Sequence, residues 1–141
     1  MKGNILKIPL LNNTFDLIFN DCTIEHFLDE SIHGVIDEMY RVTKPGGYCV
    51  IFTPNTQSYL LRRKYEIMAN EYIIFGHDGC KVPERIISLS ELKSLAKESG
   101  FDVVEKGYMS RANRIFKTPN FLREFYGSIF GWNVYVVGRK R

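Results

Sequence analysis

Polar side chains that could bind a ligand or move a proton follow two short apolar segments of the sequence. Asn20, Asp21 and Cys22 come directly after the first segment, and His26 lies a few residues further on. Asn55 ends a Thr-Pro-Asn sequence after the second segment. An amide or carboxylate can hydrogen-bond a ligand, and an imidazole can accept a proton near neutral pH or contact a substrate. The same residues could instead end a strand, cap the next turn of the chain and pack.

A strand, a helix and a second strand are predicted to position these residues. Residues 15–19 are short, nearly all apolar and rich in strand formers, which predicts a strand covered on both faces. Apolar residues recur at helical spacing over 31–42, and Lys-Pro-Gly-Gly at 44–47 predicts a stop before an apolar strand over 48–53. Such a crossover makes the two strands parallel neighbours. Ligands in open α/β sheets bind beyond the carboxyl ends of the strands, so both polar groups are expected at one rim.

The rest of the chain is predicted to contain three more helices and two more strands. These are helices over 57–70 and 89–99, a strand over 102–108, a helix that starts at Thr118-Pro119 and bears Phe121, Leu122, Phe125, Tyr126 and Ile129, and a strand over 132–138. A capping box at 88–91 and Gly100 mark the ends of the helix over 89–99. The aromatic residues of the last helix are interpreted as core rather than as a ligand site. We expect residues 1–141 to form a single domain.

Composition excludes several functional classes. The chain is 45% hydrophobic with a formal net charge of +3, so neither disorder nor a nucleic-acid function is indicated. The three cysteines lack disulfide or zinc-ligand spacing and suit a reducing compartment. No apolar run approaches the ~20 residues that a membrane span needs, and no signal peptide is indicated. We therefore expect a cytoplasmic protein that does not enter a membrane.

The order of the motifs resembles the class I, Rossmann-like S-adenosylmethionine-dependent methyltransferases that act on small molecules. The matching stretches are Ile8-Pro9, Asn13-Thr14-Phe15-Asp16-Leu17-Ile18, Ile24-Glu25-His26-Phe27, Glu38-Met39-Tyr40-Arg41-Val42-Thr43-Lys44-Pro45-Gly46-Gly47, Gly76-His77, Leu89-Ser90-Glu91-Leu92 and Ser99-Gly100-Phe101. Alone, Lys-Pro-Gly-Gly is only a turn, whereas the combined order and spacing is specific. The resemblance implies a partial Rossmann-like α/β sheet, with strands equivalent to the family's strands 4, 5, 6 and 7: a parallel pair plus a C-terminal antiparallel hairpin, with flanking helices.

The resemblance also implies a cofactor site at the predicted rim. Asn20, Asp21 and Cys22 match the segment that lines the methionine side of S-adenosylmethionine. Asn4 and Ile5 match the stretch that meets the adenine, where an Asp is usual; Asn4 keeps the acceptor oxygen and loses the charge.

His26 is the candidate catalytic residue in this resemblance, because methyl transfer to oxygen or nitrogen often needs a proton removed. A packing role for the same histidine is the alternative. Some relatives bind a divalent metal in this segment, but Cys22 stands where another carboxylate would be needed, and hard cations prefer oxygen ligands. We expect no metal.

One part of the family pattern is missing from the sequence. No two glycines stand two positions apart, so the Gly-x-Gly loop that approaches the cofactor does not occur. The chain resembles the C-terminal half of a methyltransferase domain. We expect methyl transfer to a small-molecule acceptor to depend on the missing N-terminal strands, and cofactor binding by this chain alone to be weak or absent.

Two other functions fit the residues. The chain could be a non-catalytic interaction protein, in which the strand from Phe15 to Phe19 is an apolar edge that pairs with a second copy or a second chain. It could also bind nucleic acid through Arg62, Arg63, Lys64 and the basic C-terminus, with steep salt dependence. The nucleic-acid function is the least favoured of the three.

Overall fold

The structure is a computed structural model, and it describes residues 3–27, 29–55, 57–59, 87–109 and 120–141. The elements within these residues are β1 (Phe15–Asp21), a 3-10 helix (Ile24–His26), α1 (Asp29–Val42), β2 (Thr43–Pro54), α2 (Leu89–Glu98), β3 (Asp102–Met109), α3 (Asn120–Phe130) and β4 (Asn133–Arg139). Most of the helix predicted over 57–70 lies outside the described residues.

The four strands form one sheet in the order β1-β2-β4-β3. β1 and β2 are parallel, and β4 lies antiparallel between β2 and β3. This arrangement confirms the predicted α/β sheet with a parallel pair and a C-terminal antiparallel pair. Because β1, α1 and β2 form a crossover, the carboxyl ends of β1 and β2 lie at the same end of the sheet.

Helices α1 and α2 cover one face of the sheet. The predicted stripe of α1 is buried against the inward side chains of β2 and β4 and against α2. The residues of this core include Ile32, Val35, Ile36 and Met39 of α1, Cys49 and Ile51 of β2, Leu92, Leu95 and Ala96 of α2, and Val134 and Val136 of β4. Helix α2 starts as predicted, because the Ser88 hydroxyl accepts a hydrogen bond from the Glu91 N–H at 3.2 Å.

The Lys-Pro-Gly-Gly sequence is not a separate turn, contrary to prediction. Helix α1 ends at Val42, and β2 begins immediately at Thr43. The β1–β2 pairing then shifts between Phe15 and Leu17, so the sequence forms an irregularity within the start of β2. Gly46 has a φ of 80°, and a Cβ on Gly47 would lie 2.9 Å from a backbone oxygen of β1, so both positions favour glycine.

Strand β1 is not covered on both faces, which corrects the prediction from its apolar composition. Leu17 is 59% exposed and Phe19 is 70% exposed. The register and the alternation of side chains place seven apolar residues on this uncovered side, beside polar ones such as Asp21, and none of the seven is buried. We call this surface the open face: Leu17, Phe19, Tyr48, Val50, Phe52, Tyr135 and Val137. Among the described strands β1 is also an edge strand, since its neighbour there is β2 alone.

The Glu-x-x-Arg part of the motif holds the segment that precedes β1. The Arg41 guanidinium donates to the carbonyl oxygens of Ile8 and Leu10, each at 2.9 Å, and to both carboxylate oxygens of Glu38 at 2.7 and 2.8 Å. Glu38 also accepts a hydrogen bond from the Ile8 N–H at 2.7 Å. The hydrogen bond from Arg41 holds the pKa of Glu38 below its ordinary value. These contacts give the motif a structural role.

Replacing Glu38 by Gln should therefore lower the thermal unfolding midpoint at neutral pH by roughly 3–6 °C. Since the folded-state pKa of Glu38 lies below its ordinary value of 4.5, its contribution is present above that value and lost as the pH falls through the folded-state pKa. The difference between wild type and E38Q, measured by circular dichroism, should shrink on acidification to about pH 2. Asp37→Asn, at an exposed position of α1, is the control. A difference that is constant with pH would contradict this account.

Candidate functional site

The carboxyl ends of β1 and β2 and the start of β4 meet at one end of the sheet. The Cys22 N–H donates to the carbonyl oxygen of Phe52 at 3.2 Å, and the Asn55 N–H donates to that of Trp132 at 2.7 Å. The Asn133 amide donates to the Cys22 sulfur at 3.3 Å. We call residues 20–26, 53–55 and 131–133 the carboxyl rim. The structure thus brings together the two polar groups that the sequence predicted at one rim.

Cys22 is held in a defined place at this rim. Its backbone has a φ of 47°, in the left-handed region, and its side chain is half-buried. Burial, reinforced by the Glu25 and Asp21 carboxylates, raises the pKa of the Cys22 thiol to about 12. At neutral pH the residue is a neutral thiol, so it is suited to line a site and unsuited to act as a nucleophile.

Asp21 and Asn20 occupy different environments. Asp21 is exposed and, by the register with Phe52, lies on the open face at the rim. Asn20 pairs with Ile51 and is buried on the face that α1 covers. Its Oδ1 atom has no hydrogen-bond partner in the described structure, and the same is true of the hydroxyl groups of the fully buried Thr53 and Ser58. Asp21 is therefore the accessible one of the two side chains.

His26 is the last residue of the short 3-10 helix that follows β1. Its N–H donates to the carbonyl oxygen of Thr23 at 3.1 Å, and its side chain is half-buried beside the fully buried Glu25. The Nδ1 atom of the ring is buried and makes no hydrogen bond within the described part of the chain. Over the same residues, no group of three or more metal-binding side chains lies close enough to hold an ion.

Asn4 and Ile5 lie in the segment before β1. The Asn4 Oδ1 atom accepts a hydrogen bond from the Leu6 N–H at 2.9 Å, and Ile5 packs against the core. Among the described residues, no hydrogen bond joins Asn4 to residues 20–26. The acceptor oxygen that the sequence pointed to is thus engaged in a local turn.

Asn55 is a residue of the rim whose role the sequence did not reveal. Its fully buried amide nitrogen donates to the carbonyl oxygens of Gly127, Ser128 and Gly131 at 3.0–3.2 Å. Its Oδ1 atom accepts a hydrogen bond from the Gln57 N–H at 3.1 Å. Asn55 therefore fastens the last turn of α3 to the end of β2. An Asn at the end of a strand was the signal, but the carbonyl groups that its amide binds lie more than 70 residues away.

The aromatic residues of α3 are not core where their side chains are described. Phe125 and Tyr126 are both exposed, which corrects the core interpretation for these two. Ile129 is half-buried, while the side chains of Phe121 and Leu122 lie outside the described part of the chain.

The basic C-terminus is engaged in intramolecular contacts. Lys140 donates to the carbonyl oxygen of Tyr40 at 2.7 Å, at the C-terminal end of α1. Arg141 forms an ion pair with Asp102, and the Arg139 guanidinium lies 5.9 Å from the Tyr48 ring centre. Lys140 therefore has a structural role, whereas Arg139 and Arg141 remain exposed. The other basic group considered for nucleic-acid binding, at 62–64, lies outside the described residues.

An open hollow of about 740 Å³ lies at the opposite end of the sheet from the rim. It is lined by residues 7–11 with Glu38 and Arg41, the groups that hold the segment before β1. Glu38 and Arg41, two polar side chains that line this hollow, already form an ion pair with each other. We therefore favour the carboxyl rim as the candidate functional site.

Several proteins that are similar to this chain in sequence or fold are methyltransferases. The methyltransferase-domain family matches residues 1–51. A sterol 24-C-methyltransferase of Pneumocystis carinii is 28% identical over 117 residues, which are 80% of this chain and 29% of that protein. The crystal structure of an S-adenosylmethionine-dependent methyltransferase from Thermotoga maritima superposes with a TM-score of 0.70 and 27% identity, covering 100% of this chain and 63% of that one. A methyltransferase solved in complex with the Trm112 methyltransferase activator of Haloferax volcanii shares the fold, with a TM-score of 0.64, 14% identity, and coverage of 97% and 59%.

The strand order and these matches show that the chain is similar in sequence and fold to the class I, Rossmann-like S-adenosylmethionine-dependent methyltransferases. The chain spans less than a third of the sterol methyltransferase and under two thirds of the Thermotoga structure. The residues present fit one part of the family's cofactor: Asp21 offers an accessible carboxylate and Cys22 a neutral thiol at the rim. None of the described helices is long and apolar enough to cross a membrane.

The raised pKa of Cys22 predicts slow alkylation. With iodoacetamide at about pH 8, Cys22 in the folded chain should react at least about a hundredfold more slowly than in the urea-unfolded chain, because the thiolate is scarce. Peptide mass spectrometry at timed intervals measures the rate, and Cys22→Ala identifies the signal. Similar rates for the folded and unfolded chain would show that the thiol is not protected in this way.

Proposed function

We propose that this chain is part of an S-adenosylmethionine-dependent methyltransferase and that its carboxyl rim forms the methionine side of the cofactor site. The observation that carries the proposal is the meeting of β1, β2 and β4 at one rim, with Asp21 accessible there. We propose a small-molecule methyl acceptor; the Pneumocystis relative is named for a sterol, which is a molecule of this kind.

Each rim residue has a separate part in the proposed mechanism. When bound, the cofactor would supply a methyl group on a positively charged sulfur; the acceptor would bond to the methyl carbon as the carbon–sulfur bond breaks and a neutral thioether leaves. The Asp21 carboxylate would hold the positively charged amino end of the cofactor, and Cys22 would form a neutral wall beside it. His26 removes the proton of an oxygen or nitrogen acceptor. The protein's main contribution is to hold the reactants in line and exclude water.

The open face and the edge of β1 require a cover in this proposal. Leu17 and Phe19 leave apolar surface and backbone groups exposed, which favours addition of a strand from a second copy or a second chain. The Haloferax structure offers a parallel, because that methyltransferase is solved with an activator chain. We further propose that residues 1–141 form one domain and that the protein acts in the cytoplasm, where free thiols such as Cys22 and Cys49 persist.

Equilibrium dialysis with radiolabelled S-adenosylmethionine tests the cofactor site. The chain alone should bind with a dissociation constant of about a millimolar, because it supplies only part of the pocket. Asp21→Asn should weaken binding about tenfold through loss of a charge-assisted hydrogen bond. Asp37→Asn, an exposed change on α1, is the control and should have no effect. Equal affinity in D21N and wild type would refute the proposed site.

Light scattering after size-exclusion chromatography tests the proposed cover. At about 100 µM the chain should elute as a dimer or larger species, because burial of the β1 edge stabilises association. The double variant Leu17→Lys with Phe19→Lys should elute as the 16.4 kDa monomer. Val104→Lys, at an exposed position of β3 on the opposite edge, is the matched control and should still associate. A wild-type chain that is monomeric at this concentration would argue against self-association.

A further inference from the structure

Asn55 joins three elements of the structure at the carboxyl rim. The residue follows β2 directly and is 1% exposed. Its side-chain amide donates hydrogen bonds to the carbonyl oxygens of Gly127, Ser128 and Gly131 at 3.2, 3.1 and 3.0 Å. Its backbone N–H donates to the carbonyl oxygen of Trp132 at 2.7 Å. The last turn of α3 and the segment that leads into β4 are therefore both held against the end of β2.

An asparagine suits this position because its side chain both donates and accepts hydrogen bonds. The NH2 group carries two protons, so the three carbonyl oxygens share them, and the N···O distances lie in the upper half of the usual range. The Oδ1 atom accepts a hydrogen bond from the Gln57 N–H at 3.1 Å. A carboxylate of the same size would keep the acceptor, lose the donors and place a negative charge beside three carbonyl oxygens. The link to α3 thus depends on the amide nitrogen of Asn55.

The segment that Asn55 holds also carries a contact to Cys22. Asn133 is the first residue of β4, and its side-chain amide donates to the Cys22 sulfur at 3.3 Å. In the β2–β4 pairing, Asn133 lies opposite Pro54, the residue directly before Asn55. Cys22 in turn follows Asp21, the residue proposed to contact the cofactor. The position of the thiol beside the proposed site therefore depends on where this segment lies.

Close packing of α3 gives the link from Asn55 a direction. A Cβ on Gly127 would lie 2.7 Å from the Cβ of Tyr108 in β3, so the last turn of α3 already lies as near to the sheet as glycine allows. Movement in the other direction, away from the sheet, is opposed by the hydrogen bonds from Asn55. Loss of these bonds should therefore release the end of α3 and the segment after it.

We infer that Asn55 is a positioning residue of the proposed cofactor site, which it shapes by holding Asn133 against the Cys22 thiol. The amide of Asn55 is buried and engaged by α3, so the residue acts through Asn133 rather than by touching the cofactor. A site that is fixed in advance binds its ligand with less ordering cost. This inference rests on the proposed function and assigns the residue that fixes one side of the site.

Asn55→Asp tests the inference with a change of almost equal size. Alkylation by iodoacetamide at about pH 8 reports on the rim through Cys22 and on the core through Cys49, which is 1% exposed. In N55D the Cys22 rate should rise at least about tenfold, because the segment packed against the thiol is released, while the Cys49 rate should stay within about twofold of the wild type. Peptide mass spectrometry at timed intervals measures both rates in one sample. A general loss of stability would instead raise both rates together.

Further variants separate a local effect from a general one. Asn133→Ala removes the contact to Cys22 directly and should raise the Cys22 rate as N55D does. The double variant should add little, since both changes break one path. Glu38→Gln, at the other end of the sheet, is the destabilised control and should leave the ratio of the Cys22 and Cys49 rates unchanged. Circular dichroism checks folding, and Asn55→Ser, which keeps a hydroxyl donor, takes the place of N55D if that variant is unfolded.

Cofactor binding gives a second measurement. In the dialysis experiment N55D should weaken S-adenosylmethionine binding at least about threefold, and E38Q should leave it unaltered. Four results would overturn the inference: a Cys22 rate in N55D equal to that of the wild type, a parallel rise of the Cys22 and Cys49 rates, full addition of the two effects in the double variant, or equal cofactor affinity in N55D and wild type.

The alkylation measurement needs neither cofactor nor turnover. Equal affinity in D21N and wild type therefore counts against the proposed function, whereas an unchanged ratio of the Cys22 and Cys49 rates in N55D counts against the positioning role alone.

Discussion

The parallel pairing of β1 with β2 through α1 is the constraint on which the rest of the structure depends. A parallel pair requires a crossover, and the crossover places both carboxyl ends at one end of the sheet. The apolar stripe of α1 binds the crossover to the sheet by burial, and the Arg41 and Glu38 contacts fix the chain that leads into β1. Without this pairing, Asp21 and Asn55 would not share a rim.

The same pairing leaves the sheet unequal on its two sides. One face is buried beneath α1 and α2, whereas the open face and the β1 edge are exposed. For this reason the apolar side chains of β1 on the open face are exposed in the described structure. Their exposure is the reason for proposing that a second segment or chain packs on this face. The inequality also fits the proposal of a site at the rim, where the Asp21 carboxylate lies beside β1 and exposed apolar side chains lie beside α3 and β4.

Much of the fold could be predicted from the sequence because its signals are local. The spacing of Ile32, Val35, Ile36 and Met39 predicts the buried face of α1, and the capping box predicts the start of α2. The exposure of Phe19 could not be predicted. An apolar strand has the same sequence pattern whether or not another segment packs on its outer face.

The site was predictable only in part. Polar residues after two strands indicated a rim, and the structure brings them together. The role of Asn55 could not be derived, because it depends on carbonyl groups more than 70 residues away. The exposure of Phe125 and Tyr126 could not be predicted either, because the helical spacing of aromatic residues is the same in a buried stripe and on an exposed face. Long-range packing decides both features.

Amide-resolved NMR during titration with S-adenosylhomocysteine tests the central claim most directly, since it reports where the chain meets the cofactor skeleton. The account predicts chemical-shift changes concentrated in residues 20–26, 53–55 and 131–133. Changes concentrated around Arg41 and residues 7–11, at the other end of the sheet, would contradict it.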